Sequence, residues 1–488
     1  MTKDTRTVPA GPPISERAAN TAPDKRAPSL AAALRATGLR DGATVSFHHH
    51  LRNGDALLNL AMDRIAALGV GDLHLAPSSL FPVHAPLADH IRRGTVTRLS
   101  TAYVSGPVAQ ALAEGALQTP AALQTHGGRA RAIEAGELPI DLAIVAAPMA
   151  DAQGNLTGAH GPAACGPLGY PMVDVARARH VIAVTDCLSD RPLTEPEIPG
   201  GRVDQVVTVP RLGDAGQIVS GTTRPTEKPQ ALQIATLAAR VIAESGLLTD
   251  GFSFQTGAGG ISLAAARDLG HIMAERGVTG SFASGGITGT LVDLFRAGLF
   301  AELLDVQCFD LAAVASFRED AAHRAISASA YANPRHRDPV AHRLDAVILG
   351  AAEVDLDFNV NVTLGADGVI LGGSGGHADT AAGAKLTVIT TALTARGTPK
   401  IVPRVACVTT PGATVDVVVT EAGIAVNPRA AALADRLRHA GLPLVAMADL
   451  MRAAGGENRP CSGPKGPVVA VSEYRDGRVT DVIHAPAP

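Results

Sequence analysis

Short apolar runs, many ending on glycine or a small polar residue, alternate with stretches of helical periodicity along most of the chain. The runs at Gly42–Phe47, Asp72–Ala76, Thr95–Leu99 and Asp141–Ala147 have strand length. Asp55–Leu68 has helical spacing, with Asn53 or Asp55 placed to cap it. Such alternation predicts βα units and a mainly parallel sheet. Strand-like runs continue at Val181–Thr185 and Val203–Val209. A polar, Pro-containing link spans about Gly221–Pro229, and then the pattern restarts. Ala231–Ser245, Ile261–Glu275 and Leu291–Ala297 read as helices. Phe252–Phe254, Gly280–Ala283, Ala346–Leu349 and Leu386–Ile389 read as strands. Val468–Glu473 and Val479–His484, turning at Arg475-Asp476-Gly477, read as a hairpin.

The two halves echo each other. The block from Asp141 (DLAIVAAP) matches that from Asp345 (DAVILGAA), and the block from Asp174 matches that from Asp379. The offsets are 204 and 205 residues (345 − 141 and 379 − 174), so the register is held within one residue. The expected fold class is α/β, with two similar units of mainly parallel sheet related by internal duplication. The expected boundaries are a loose tail at 1–28, one unit at 29–225 and a second at 226–488. A ligand site is expected between them.

Composition narrows the function. With 46% hydrophobic and 18% charged residues, the chain reads as globular rather than disordered. Only 3% is aromatic and the net charge is −4, so no nucleic-acid footprint is expected. The five cysteines are scattered, without spacing for zinc, and read as buried small side chains. No metal site is expected. The first 28 residues lack a signal-peptide core, and no run is long enough to span a bilayer. A cytoplasmic location without membrane contact follows as the expectation.

Three glycine loops follow strand-like runs: Gly257, Gly259 and Gly260; Gly285 and Gly286; and Gly372, Gly373, Ser374, Gly375 and Gly376. Exposed backbone N–H groups there suit a phosphate or a thioester oxyanion. Tight turns and close packing explain glycines equally well. No loop has the Walker spacing. Glu353 and Asp355 follow a strand end, where a carboxylate can act as nucleophile or base, or cap a helix. His48, His49, His50 and Arg52, together with His126 and Arg129, either offer imidazole and guanidinium donors for a polycarboxylate or, for the His run, form an ordinary surface stretch. Asn361, in the alternation Asn359–Val362, joins the substrate-binding candidates, and His377, after the third glycine loop, reads most simply as a satisfied helix-start histidine.

Taken in order, several stretches resemble the citrate lyase alpha-subunit family of CoA-transferases. They are FHHHLRNGD at 47–55, HGGRARAIEAGELPID at 126–141, GFSFQTGAGG at 251–260, SFASGGIT at 281–288 and LLDVQCFD at 303–310. DFNVNV at 357–362, GGHADTA at 375–381, TPGATVDVVVTEAGIAVNP at 410–428 and EYRDG at 473–477 follow. The resemblance implies the CoA-transferase fold. It implies exchange of an acetyl thioester with citrate, giving citryl thioester and acetate. Implied partners are citrate, an acyl carrier (gamma) subunit and a lyase (beta) subunit in an oligomeric complex. No resident cofactor is implied; a CoA-derived thiol arm, or CoA, is the co-substrate. Gly257, Gly259, Gly285, Gly286 and Glu353 become the catalytic candidates. Gly260, Gly372–Gly376 and His377 become candidates for holding the arm.

Two departures from relatives stand out. The position that carries a nucleophilic glutamate in several CoA-transferases falls on Gly285, so direct attack by a citrate carboxylate is expected. Ser100–Gly106 lacks the Arg of the family's Ser-Gly-Leu-Arg-Gly pattern. Competing readings are a transferase or hydrolase using free CoA with another carboxylate, and a non-catalytic scaffold subunit.

Overall fold

A computed structural model of the protein describes residues 23–219, 223–458 and 466–486. Two large sheets, mainly parallel, carry the fold. Seven strands of the first run in space as Gln205–Thr208, His180–Thr185, Leu142–Ala146, Thr44–Phe47, Leu73–Pro77, Val96–Thr101 and Ala121–Leu123. Seven of the second run as Val417–Thr420, Leu386–Thr390, Ala346–Gly350, Ser253–Thr256, Gly280–Ile287, Phe300–Cys308 and His323–Ala325. The chain visits corresponding places in the same sequence in both sheets, and every pair among these strands is parallel.

The duplication extends to single hydrogen bonds. Asp141 Oδ2 accepts from the N–H of Thr44 at 2.9 Å, and Asp345 Oδ2 accepts from that of Ser253 at 2.8 Å. Asp204 and Asp416 do the same for Val181 and Thr387. Each carboxylate satisfies a donor at the start of a strand, where the ladder supplies no partner. Asp151 holds Gln153 and Asn155, and Asp355 holds Asp357 and Asn359 in the same manner. Asp355 is therefore a turn-holding carboxylate, and burial raises its pKa against these bonds.

Two expectations need correction. The C-terminal hairpin, Val468–Glu473 with Val479–His484, forms as predicted but does not join the second sheet. It pairs in parallel with Ala121–Leu123 and extends the first. The expected tail also holds structure: Arg26–Ala27 pairs with Val206 and Val207, and Lys25 Nζ donates to the carbonyls of Gly200 and Val203. Residues 1–22, and Gly221 and Thr222 of the link, lie outside the described residues, as does Cys461. Cys165, Cys308 and Cys407 are buried and Cys187 is partly so. No helix among the described residues is long and apolar enough to cross a membrane.

The halves meet in one continuous apolar core and along a polar seam. Helix His126–Glu134 of the first half starts at Thr125, whose hydroxyl accepts from the N–H of Gly128. Asp379, on helix His377–Gly383 of the second half, takes Thr125 Oγ1 and the N–H of Gly127, both at 2.8 Å. Arg475 of the hairpin lies 3.8 Å from the same carboxylate. Gly127 is obligatory, because a Cβ there would stand 2.1 Å from the carbonyl oxygen of Ala332. Asp379 is fully buried, and burial pushes its pKa up to about 6, against Arg475 and its two donors.

The raised value sets a pH window. The folded state holds the proton more tightly than the unfolded one, so this group favours folding most below its unfolded pKa of 3.8. That contribution falls as pH rises toward about 6. Asp379→Asn should remove it. The Tm of wild type relative to the variant should fall between about pH 4 and pH 6 and level off above, as read by calorimetry.

Candidate functional site

In open α/β sheets, ligands bind at the C-terminal ends of strands. Here those ends from both halves converge on one chain of contacts. His48, His49 and His50 leave strand Thr44–Phe47. The carbonyl of His49 accepts from Gln307 Nε2 of the second half at 3.2 Å. Two residues on, Phe309 lies under the guanidinium of Arg52, 4.6 Å from ring centre to Cζ. Phe309 also covers Gly286, and Gly285 covers the side chain of Gln255. Gln255 Nε2 bonds Tyr331 Oη at 2.8 Å, Tyr331 packs on Gly376, and Gly375 faces His126 Nε2. The ring of His126 stacks on that of His49 at 5.9 Å and 12°, and Tyr170 lies against both.

Polar atoms without partners collect along this chain. Among the described residues, none is found for both ring nitrogens of His50, His126 Nδ1, Arg52 Nη1, Gln255 Oε1, Gln307 Oε1 or Thr288 Oγ1, all buried. Ser262 Oγ is another, in the first turn of helix Gly260–Arg276. A buried polar atom without a partner costs about 1–3 kcal/mol, so such a concentration points to a polar ligand.

The electrostatics are not those of a histidine-rich cation. Burial holds His48 and His49 well below the usual imidazole range, and pushes His50 and His126 down to about 3. All four are neutral at pH 7, and each offers one N–H rather than a charge. The permanent charge is Arg52, held over Phe309 and Phe81, with its backbone at φ 53° in the left-handed region. Strain of that kind in a non-glycine residue collects at functional positions.

The expected residues divide sharply. His50, Arg52, His126, Gly285 and Gly286 lie on the chain of contacts. His48 borders it, with Nε2 accepting from the N–H of Ala146 at 2.8 Å. Arg129 does not reach it: its guanidinium pairs with Asp174 at 2.8 and 2.9 Å and donates to the carbonyl of Ala76. Asn361 is spent locally, on Glu353, Leu364 and Thr363. Glu353 lies buried in a small three-stranded sheet, taking Asn361 Nδ2 at 3.0 Å and the N–H of Ala406 at 3.1 Å. Gly257 gives its N–H to the carbonyl of Ile348, which removes it as an oxyanion donor. Gly259 and Gly260 open helix Gly260–Arg276.

The third glycine loop packs the halves together. Gly372 lies against the Tyr103 ring and Gly373 against the carbonyl of Ala102. Gly375 bonds Ala102 and His126 through its N–H and carbonyl. Ser374 Oγ accepts from the N–H of Ala378, and both ring nitrogens of His377 are taken, by Thr410 and Gly350. Side chains here would push the halves apart. Residues missed from sequence are Gln255, Gln307, Tyr170, Tyr331 and Phe309. Gln255 and Gln307 carried only a faint signal: each is the one amide in its strand, near the strand's C-terminal end.

One group of possible metal donors lies beside the site. Asp305, Cys308 and His323 are buried, with ligand atoms within 4.8 Å of one another. They bond each other through Asp305 Oδ2, at 3.1 Å from Cys308 Sγ and 3.0 Å from His323 Nε2. Asp305 Oδ1 accepts from the N–H of Gln307 at 2.8 Å, so the network steadies the strand end at the site.

Known proteins share this chain's sequence pattern and its fold. The family model for citrate lyase, alpha subunit (CitF), matches residues 24–485. The citrate lyase alpha chain of Escherichia coli (strain K12) is 46% identical over 93% of this chain and 90% of its own. That of Klebsiella pneumoniae is 44% identical over 93% and 90%. A Streptococcus mutans protein described as the alpha subunit of citrate lyase, solved in complex with citrate, superposes with TM-score 0.93. It is 42% identical, over 97% of this chain and 93% of that one. A Pseudomonas malonate decarboxylase hetero-tetramer shares the fold, at TM-score 0.66 and 19% identity over 89% and 93%.

A side chain at Gly285 should be costly. Its φ is 110°, it sits at a bulge, and a Cβ would lie 2.8 Å from the Gln255 side chain. Gly285→Ala should cost about 1–3 kcal/mol. Gly257→Ala, whose Cβ would meet nothing closer than 3.6 Å, should stay within about 0.5 kcal/mol of wild type in urea unfolding.

Proposed function

The chain belongs to the citrate lyase alpha-subunit family, and from that premise we propose that it transfers a thioester from acetate to citrate. The donor is an acetyl thioester on the CoA-derived arm of an acyl carrier (gamma) subunit. A lyase (beta) subunit receives the product within one complex. The arm, or CoA itself, is a co-substrate rather than a resident cofactor.

One observation carries the reading. The strand ends of the first half bring Arg52 and neutral imidazole donors, and those of the second bring the Gly285–Gly286 bulge and two glutamines, into one seam. Arg52 Nη1 and the free imidazole N–H groups suit carboxylate oxygens. The seam is apolar around them, through Phe81, Tyr103, Tyr170 and Phe309, which strengthens each contact.

The chemistry follows from the absent side chain. Gly285 leaves no carboxylate at the bulge, and a side chain there would meet Gln255. A citrate carboxylate oxygen attacks the acetyl carbonyl carbon, and the C–S bond breaks as the thiolate leaves. A mixed anhydride of acetate and citrate results. The thiolate then attacks the citryl carbonyl, and acetate leaves with its electron pair. N–H groups where helix Gly260–Arg276 starts are suited to the developing oxyanion. Glu353 keeps a structural role in its small sheet.

Incubation with acetyl thioester followed by borohydride or hydroxylamine should yield no glutamyl adduct. Stoichiometric modification at Glu353 would overturn direct attack. Arg52→Ala should raise the KM for citrate about 10–100-fold, the loss of one charge-assisted contact. An unchanged citrate KM in a folded variant would remove Arg52 from the site.

A further inference from the structure

Gln307 is unusual among the groups in the seam because its chemistry is unambiguous. Its Nε2 faces the carbonyl oxygen of His49 at 3.2 Å. A carbonyl only accepts, so the atom facing it must be the NH2 nitrogen. The other atom is then Oε1, which only accepts. It is buried in a side chain with 0% exposure and has no partner among the described residues. Gln255 carries no such certainty, because its partner Tyr331 Oη both donates and accepts.

The position of this acceptor is fixed from three sides. The backbone N–H of Gln307 is tied to Asp305 Oδ1, which is in turn held by the network of His323 and Cys308. The ladder sets Gln307 beside Gly286 at the bulge. The bond to His49 crosses between the halves, two residues from the Phe309 that carries Arg52.

An ionised tricarboxylate offers acceptors nearly everywhere. Its carboxylate oxygens would be repelled by Oε1 and would turn to Arg52 and the imidazoles. Citrate has one donor at neutral pH, its tertiary hydroxyl. We propose that Gln307 Oε1 accepts the hydrogen bond of that hydroxyl and makes the site selective for a hydroxy-tricarboxylate over its deoxy analogue. This rests on the reading of the seam as a citrate site and adds the group that recognises the hydroxyl. A ligand without the hydroxyl leaves Oε1 buried and unpaired, so discrimination exceeds what shape alone provides.

Titration calorimetry on the full chain tests this with citrate, propane-1,2,3-tricarboxylate and the analogue in which fluorine replaces the hydroxyl. Wild type should prefer citrate to both by at least about tenfold, since fluorine cannot donate. Gln307→Leu should bring the three within about threefold of one another, mainly by weakening citrate. Retained preference for citrate in a folded Gln307→Leu would overturn the proposal. So would equal binding of citrate and the fluoro analogue by wild type, which needs no variant. A raised KM for the acetyl thioester with unchanged citrate selectivity would assign Gln307 to the thiol arm and also overturn it. Failure of wild type to bind citrate at all would instead defeat the underlying citrate reading, and the selectivity with it.

Discussion

Helix His126–Glu134 is pinned by two equivalent aspartates, one from each half of a duplicated chain. Asp174 takes Arg129 in a bidentate pair from within the first half. Asp379, its counterpart 205 residues later, takes Thr125 and Gly127 from across the seam. Removing either partner would strand a buried polar or charged group, a loss of several kcal/mol in comparable cases. The helix cannot move without breaking one set or the other. His126 stands on its first turn, so the same constraint places the ring that faces His49 and Tyr170.

The duplication supplied one scaffold twice, and the two copies then divided the work. Asp141 and Asp345 still make the same strand-start bond, and Asp151 and Asp355 still hold the same turn. The strand ends differ. One copy presents histidines and an arginine, the other a glycine bulge and glutamines. Tyr170 and Gly375, also 205 residues apart, approach His126 in the two copies as a ring and as bare backbone. The common frame is retained for packing, while chemistry has diverged at the loops that the frame positions.

Much of this was legible in the chain. Apolar runs of strand length between helical stretches gave the two parallel sheets, and the repeat of two blocks at one offset gave their kinship. The turn at Arg475-Asp476-Gly477 marked the hairpin. Its destination was not legible, because pairing Val468–Glu473 with Ala121–Leu123 joins segments far apart in sequence. The glycine loop at 372–376 could be read two ways from sequence. Glycine serves an anion loop and a close approach of two backbones equally well, and here the backbone approached was that of Ala102. Arg129, Asn361 and Glu353 looked available because sequence shows the donor or acceptor but not its partner. The glutamines escaped notice because a single amide among the other polar residues of its strand signals a site only once its bonds have been counted.

The counting also explains why the site needs both halves. Burial above all keeps the four imidazoles neutral, with neighbouring imidazoles adding to the effect at His48 and His49, Arg52 at His49, and Arg129 at His48 and His126. None can serve as a standing cation at neutral pH. The positive charge must therefore rest on Arg52, and a half-buried guanidinium needs a surface that does not compete for its N–H groups. Aromatic faces meet that need: they attract the charge and leave the donors free. Phe81 comes from the first half and Phe309 from the second. The Arg52 charge is thus held in place where the halves meet, at the same contact where Gln307 bridges to His49.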